Sequence, residues 1–233
     1  MRRALVVANA TDVDTGHVGR RLRELGWELV TVLREGAGVP ADVPAGTDLL
    51  LLLGSAWSVA SPVDPAALEA ECRLVRSAGD HAVPVLGLCY GAQVVAAAHG
   101  GRVGVAPQPE VGLVAVETVD AGLVPEGPWW AFHLDVIEPP PGAEVVARNG
   151  CGVQAFTLPG VLAVQFHPEV VADTLDDWAA RYPALLERTG VDRSVMAAQA
   201  HEREADARVA AAALVDAFLA RVAPEPSRRL RTP

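Results

Sequence analysis

Chemistry in this sequence concentrates at Val85-Leu86-Gly87-Leu88-Cys89-Tyr90-Gly91-Ala92-Gln93, where an apolar run ends in Gly–x–Cys–x–Gly and small residues follow at once. That spacing is the nucleophile elbow, with a thiol in place of the usual hydroxyl. A tight strand-to-helix turn lifts the Cys89 thiol above a sheet, and Gly87 and Gly91 keep side chains out of the turn. The helix opening at Tyr90 aims free N–H groups and the positive end of its dipole at the sulfur, which favours thiolate. The N–H of Tyr90, next after the nucleophile, is placed to meet a developing oxyanion. The competing reading is a buried structural cysteine, since free Cys is common in cores.

A thiol nucleophile needs a base, and six histidines compete for that role. His17, His81, His99 and His201 have no chemical neighbour in sequence and are read as surface or packing residues. His167 ends an apolar strand and is followed by Pro168 and Glu169. In extended backbone, residues two apart face the same way, so Glu169 can hold the His167 imidazole in one tautomer. The result is the Cys–His–acid arrangement of acyl transfer. His133, in Phe132-His133-Leu134-Asp135, is the runner-up base.

The remaining reactive types carry less. Cys72 and Cys151 lack partners and are read as structural, and three cysteines in all argue against a disulfide framework and fit a reducing cytoplasm. Asp12, Asp14, Asp176 and Asp177 read as capping and surface acids, Trp129 and Trp130 as core and rim aromatics, and Trp57 as a lid or packing residue. No spacing resembles a metal-ligand set, and no metal or cofactor is expected. All 19 basic residues are Arg, which excludes Schiff-base chemistry, pyridoxal phosphate anchoring and a phosphate-binding loop with its Lys. A net charge of −10 disfavours a nucleic-acid surface. Uninterrupted apolar runs such as Leu49–Leu53 are far below the roughly 20 residues of a membrane span.

The elements that must position these residues follow from periodicity. Arg3–Asn9, Trp27–Leu33, Asp48–Leu53 and Pro84–Leu88 read as strands, and Gly16–Leu25, Asp64–Ala78 and Gly91–His99 as helices. Strands apolar at every position, alternating with helices, argue for an α/β fold, a doubly wound, flavodoxin-like, mostly parallel sheet with helices on both faces. From Arg102 on, short strands at Val111–Val119, Trp129–His133, Ala143–Arg148, Val153–Leu158 and Val161–Phe166 suggest a small antiparallel extension. Helices Ala172–Arg188 and about Asp192–Val222 close the chain. A single domain over residues 1–222 is expected, with 223–233 a disordered tail.

Taken together, these segments resemble the class I (triad) glutamine amidotransferases, closest to the amidotransferase domain of GMP synthetases, over about residues 3–180. The elbow, Val164-Gln165-Phe166-His167-Pro168-Glu169-Val170, Phe132-His133-Leu134-Asp135 and Gln154-Ala155-Phe156 carry the likeness. Gly54-Ser55-Ala56-Trp57-Ser58-Val59 resembles the family's glycine-rich oxyanion loop, with Ser55-Ala56-Trp57 in place of Gly-Pro-x. Leu134 replaces a family Gly. The resemblance implies that Cys89 attacks the γ-carboxamide of glutamine, His167 transfers the proton and Glu169 orients His167. It implies an oxyanion hole from the Tyr90 N–H and the Gly54–Ser55 loop. It also implies substrate contacts from Gln93, Ser58 and Val59, with His133 and Asp135 nearby.

The implied activity is hydrolysis of glutamine to glutamate and ammonia through a γ-glutamyl thioester. Because no second domain or Lys-based ATP site is expected here, the ammonia would pass to a separate synthetase. A stand-alone hydrolase of a γ-glutamyl amine or peptide, using the same residues, is the alternative. A catalytically idle binding homologue is a third reading, opposed by the intact Cys89, His167 and Glu169.

Overall fold

Leucine- and valine-rich runs with no polar face build the centre of the molecule. The computed structural model describes residues 1–36 and 38–223. In chain order the first half reads β1 (Arg2–Ala8), α1 (Gly16–Glu24), β2 (Trp27–Leu33), β3 (Leu49–Leu52), α2 (Pro65–Asp80), β4 (Val85–Leu88) and α3 (Tyr90–Ala98). The second half reads β5 (Arg102–Val114), β6 (Glu117–Thr118), β7 (Trp129–Glu138), β8 (Glu144–Arg148), β9 (Val153–Leu158), β10 (Val161–Val164), α4 (Ala172–Arg181), α5 (Pro183–Thr189) and α6 (Arg193–Arg221).

Eight strands form one sheet in the order β2-β1-β3-β4-β10-β9-β8-β6. The first five are parallel, and β9, β8 and β6 continue the sheet antiparallel. The order β2-β1-β3-β4 is that of flavodoxin-like doubly wound sheets, whose ligands bind beyond the carboxyl ends of the strands. Side-chain alternation divides the core between the two faces. Leu49, Leu51 and Leu53 join the cluster under α1 and α6, whereas Leu50 and Leu52 join the one under α2 and α3. Each fully buried leucine of such a strand is worth about 1.5–3 kcal/mol, so these runs are stable only as a covered central strand.

Three of the expected strands and helices need correction. Val111–Val119 is not one strand. The long strand is β5, which pairs with β7 in a separate two-stranded antiparallel sheet, and only Glu117–Thr118 joins the main sheet. The β7 strand also runs on past His133 to Glu138. The expected helix Ala172–Arg188 is two helices, because Pro183 lacks an N–H to continue α4 and drives Tyr182 out of helical geometry (φ −121°, ψ 53°). Ala223, the first residue of the expected tail, is buried with its N–H on Phe218 O at 2.9 Å, and residues 224–233 lie outside the described residues.

Candidate active site

Three neighbouring parallel strands, β3, β4 and β10, end at Leu52, Leu88 and Val164, and the residues just beyond them include Gly54, Cys89 and His167. The site thus sits where the topology predicts, above the carboxyl edge of the sheet.

The elbow is tight in the way its glycines demand. Cys89 has φ 49° and ψ −108°, a region side-chain-bearing residues rarely adopt. Its N–H is tied to Val164 O at 2.8 Å and its carbonyl accepts from Gln93 N–H at 3.1 Å. A Cβ on Gly91 would stand 2.3 Å from Leu52 O, and one on Gly87 would stand 2.8 Å from Gly91 O. Gln165 Nε2 donates to Cys89 Sγ at 3.6 Å, and Gln93 Nε2 donates to Gln165 Oε1 at 3.3 Å.

His167 meets Glu169 through Nδ1···Oε1 at 2.8 Å, with both side chains buried. The His167 N–H donates to Trp130 O at 2.7 Å, and the Trp178 ring stands edge-on to the imidazole at 4.8 Å. Glu169 O in turn accepts the His17 N–H at 2.8 Å. Nε2 of His167 has no hydrogen-bond partner among the described residues. Burial, the largest influence, pulls the imidazole pKa down, but Cys89 and Glu169 outweigh it and hold the value well above the ordinary 6.5. Contact with the thiol and the carboxylate thus raises the affinity of the imidazole for a proton.

His133 is held elsewhere. Its Nδ1 lies 3.0 Å from Asp135 O, and its Nε2 lies 3.1 Å from Glu110 Oε2. Glu110 also accepts from Asn149 and Gln154. Burial pushes the Glu110 carboxyl up, but His133, Asn149 and Gln154 outweigh that and leave it below its ordinary value. Asp135 accepts from Ser58 Oγ at 2.6 Å, which ties the loop after β3 to β7.

A cavity of about 410 Å³ opens over these groups. Gly54, Ser55, Ser58, Cys89, Tyr90, Gln93, His133, Asp135, His167 and Glu169 all line it, as does Trp57. Val59 packs partly buried against the core cluster under α2 and α3 instead. A Cβ on Gly54 would come within 2.8 Å of His167 Cε1 and 3.6 Å of Cys89 Cβ, so this position admits only glycine beside the thiol. Leu134 is 42% exposed at the cavity wall.

Sequence patterns miss or misplace several residues. Asp12 is no mere surface acid: it accepts from Trp178 Nε1 and Arg181 Nη1, both at 3.0 Å, and lines the far wall with them. Asp14 accepts the Gly16 N–H at 2.9 Å, as a capping acid should, yet lines the cavity too. Trp129 and Trp130 are both buried, Trp129 stacked on Phe166 at 4.6 Å. His17 is buried in packing with Nε2 3.4 Å from Glu204, and His201 is exposed. Burial pushes the thiols of Cys72 and Cys151 up to about 11. Among the described residues no cluster of three or more His, Cys, Asp or Glu could hold a metal, and no helix is long and apolar enough to cross a membrane.

Known proteins share both the sequence pattern and the fold. The family model for glutamine amidotransferase class-I matches residues 18–179. A glutamine-hydrolysing GMP synthase from Aeropyrum pernix is 38% identical over 177 residues, covering 69% of this chain and 33% of that enzyme. A glutamine-hydrolysing GMP synthase subunit from Sulfurisphaera tokodaii is 33% identical over 158 residues, covering 64% of this chain and 80% of its own. The chain therefore spans about a third of the full-length GMP synthases it matches, and most of the Sulfurisphaera protein. A glutamine amidotransferase structure from Thermotoga maritima superposes with a TM-score of 0.84 over 94% of this chain and 98% of its own, at 23% identity, a likeness of fold. A putative GMP synthase subunit from Thermoplasma acidophilum superposes with a TM-score of 0.60 at 29% identity, covering 73% of this chain and 85% of its own.

Proposed function

The chain belongs to the class-I glutamine amidotransferases, and on that premise we propose that it hydrolyses the γ-amide of glutamine through a thioester on Cys89. The observation that carries this reading is the convergence of the strained Cys89 elbow with a buried His167 whose Nδ1 is held by Glu169 at 2.8 Å.

In the first half-reaction, Cys89 Sγ bonds to the γ-carbon of glutamine and the thiol proton passes to His167. The carbonyl oxygen becomes an oxyanion, which the N–H groups of Tyr90 and of the Gly54–Ser55 loop stabilise; one such donor is typically worth about 10²–10³ in rate. The C–N bond breaks as His167 gives its proton to the leaving nitrogen, releasing ammonia. Water then attacks the thioester, His167 takes its proton, and the C–S bond breaks to give glutamate and the free thiol. Glu169 keeps the imidazole in the tautomer that presents Nε2 to these transfers. Gln93, Ser58, His133 and Asp135, which line the cavity, are assigned to the α-amino and α-carboxylate groups of glutamine, with the buried side chain of Asp135 suited to an ammonium, whereas Val59, packed into the core, is left out of the assignment.

The ammonia is handed to a separate synthetase polypeptide, a reading supported by relatives that are named as individual subunits of glutamine-hydrolysing GMP synthase. The protein acts in the cytoplasm, without cofactor, nucleic acid or membrane. A second reading draws on the cavity, which continues past Cys89 to a wall of Asp12, Trp178 and Arg181: release of a γ-glutamyl amine larger than ammonia. The deciding assay offers purified protein glutamine and a panel of γ-glutamyl amines, with Cys89→Ala as control. Cys89-dependent ammonia release from glutamine, with the amines inert, is the expected result. Faster cleavage of an amine would establish the second reading in its place.

A further inference from the structure

Arg34 is the bulkiest side chain with no exposed surface, and the chemistry above makes no use of it. Its Nε donates to both oxygens of Glu71 at 3.1 Å. Nη1 donates to Asn9 Oδ1 at 2.8 Å and to Gly54 O at 3.1 Å, and Nη2 donates to Leu53 O at 2.6 Å. The guanidinium carbon also lies 4.8 Å from the centre of the Tyr90 ring. A buried ion pair is a weak source of stability, because desolvating both charges offsets their attraction. What it does supply is direction.

Leu53, Gly54, Ser55, Cys89 and Tyr90 line the cavity, and Arg34 lies behind them. The carbonyls of Leu53 and Gly54 therefore point inward, away from the cavity. In a trans peptide the carbonyl and the following N–H point in opposite directions. Holding those two carbonyls turns the N–H groups of Gly54 and Ser55 outward, beside Cys89. Neither N–H is taken up by a hydrogen bond among the described residues. A carbonyl already bonded to a cation also leaves its peptide N–H a stronger donor, since linked hydrogen bonds polarise one another.

We propose that Arg34 is a positioning residue for the oxyanion hole, clamping the Leu53 and Gly54 carbonyls so that the N–H groups of Gly54 and Ser55 face the acyl group on Cys89. The guanidinium reaches the third donor as well, through the ring of Tyr90. Its planar fork is what lets one side chain hold both carbonyls and Glu71 together, a task a Lys ammonium does not fill. The inference rests on the acyl transfer proposed for Cys89.

The test pairs two reactions of the same thiol. Acyl transfer, read with p-nitrophenyl acetate and with glutamine, develops an oxyanion; alkylation by iodoacetamide does not. The variants are Arg34→Lys and the double Arg34→Met/Glu71→Met, which leaves no orphaned buried carboxylate. Acyl-transfer kcat is expected to fall about 10²-fold in the double variant, with KM for glutamine within about threefold and Cys89 alkylation within about twofold. Arg34→Lys should show the same split in smaller degree, and it carries the test if the double variant does not fold. Unchanged acyl transfer, or alkylation falling in step with it, would overturn the inference. A wild-type protein that turns over the ester but not glutamine would sink the glutaminase reading while the clamp is still read on the ester. One that acylates on neither would sink both.

Discussion

The proton between Cys89 and His167 is the feature of the site most open to measurement. The His167 pKa is raised above its ordinary 6.5, against burial, by Cys89 and Glu169. A folded-state value above the unfolded one means that His167 stabilises the protein fully below about pH 6.5, and that this contribution is lost as pH rises through the folded value. Removing the sulfur removes one of the two raising causes. In Cys89→Ala the His167 titration midpoint, followed by ring-proton NMR, should therefore drop relative to wild type; an unmoved midpoint would mean that the thiol does not govern it. The three thiols should also separate. With Cys72 and Cys151 held up at about 11, iodoacetamide at pH 7 should label Cys89 first, as peptide mapping would read. Equal labelling of all three would remove the case for an activated elbow. Cys89, His167 and Glu169 were legible in the sequence because each lies in a short local pattern. Asp12, Trp178 and Arg34 were not, because their partners lie far along the chain, at separations of 166 residues for Asp12–Trp178 and 37 for Arg34–Glu71.

At the scale of elements, the turn from β4 into α3 is strained, Cys89 being one of two non-glycine residues with positive φ among the described residues. Gly91 faces the backbone of β3, with Leu52 O 2.3 Å from where a Cβ would stand. Gly91→Ala should cost about 2–3 kcal/mol or more, since backbone cannot yield as a side-chain tip does, and chemical denaturation would measure it. The positive φ of Cys89 makes the opposite prediction two residues earlier. Cys89→Gly should be more stable than Cys89→Ala by about 1 kcal/mol, because Gly accepts that conformation without strain. Equal stabilities would show that the elbow is relaxed. The parallel strands were readable because burial on both faces leaves no polar position in Leu49–Leu52 or Val85–Leu88. The β5–β7 ribbon was not. Glycine and proline punctuate Arg102–Val114, and its burial is mixed, so its sequence reads as turns until β7 pairs with it.

The whole molecule is larger than the segment that matches the family, residues 18–179. Helix α6 lies beyond that segment and covers one face of the sheet with Leu214, Val215 and Phe218, all buried in the cluster under α1. Its Glu204 accepts the Ala172 N–H at 3.0 Å and so fastens the start of α4, whose Trp178 stands against His167. Phe218→Ala should lower stability by about 3–5 kcal/mol while leaving KM for glutamine unchanged, because Phe218 is absent from the cavity wall. A KM shift matching the stability loss would show that α6 shapes the site itself. The existence of this helix was plain in its Ala-rich sequence, but its cover of the sheet was not, since small residues mark no strong apolar face.

The proposed chemistry turns on a covalent intermediate, and trapping it is the most direct measurement. Protein mixed with glutamine, quenched in acid within its first turnovers and analysed by intact and peptide mass spectrometry, should carry one γ-glutamyl group on the peptide containing Cys89. The adduct should be absent from Cys89→Ala. It should accumulate in His167→Ala once that variant has been acylated with an activated γ-glutamyl ester. Ammonia released at full rate with no such adduct, or with Cys89→Ala as active as wild type, would contradict the thioester route.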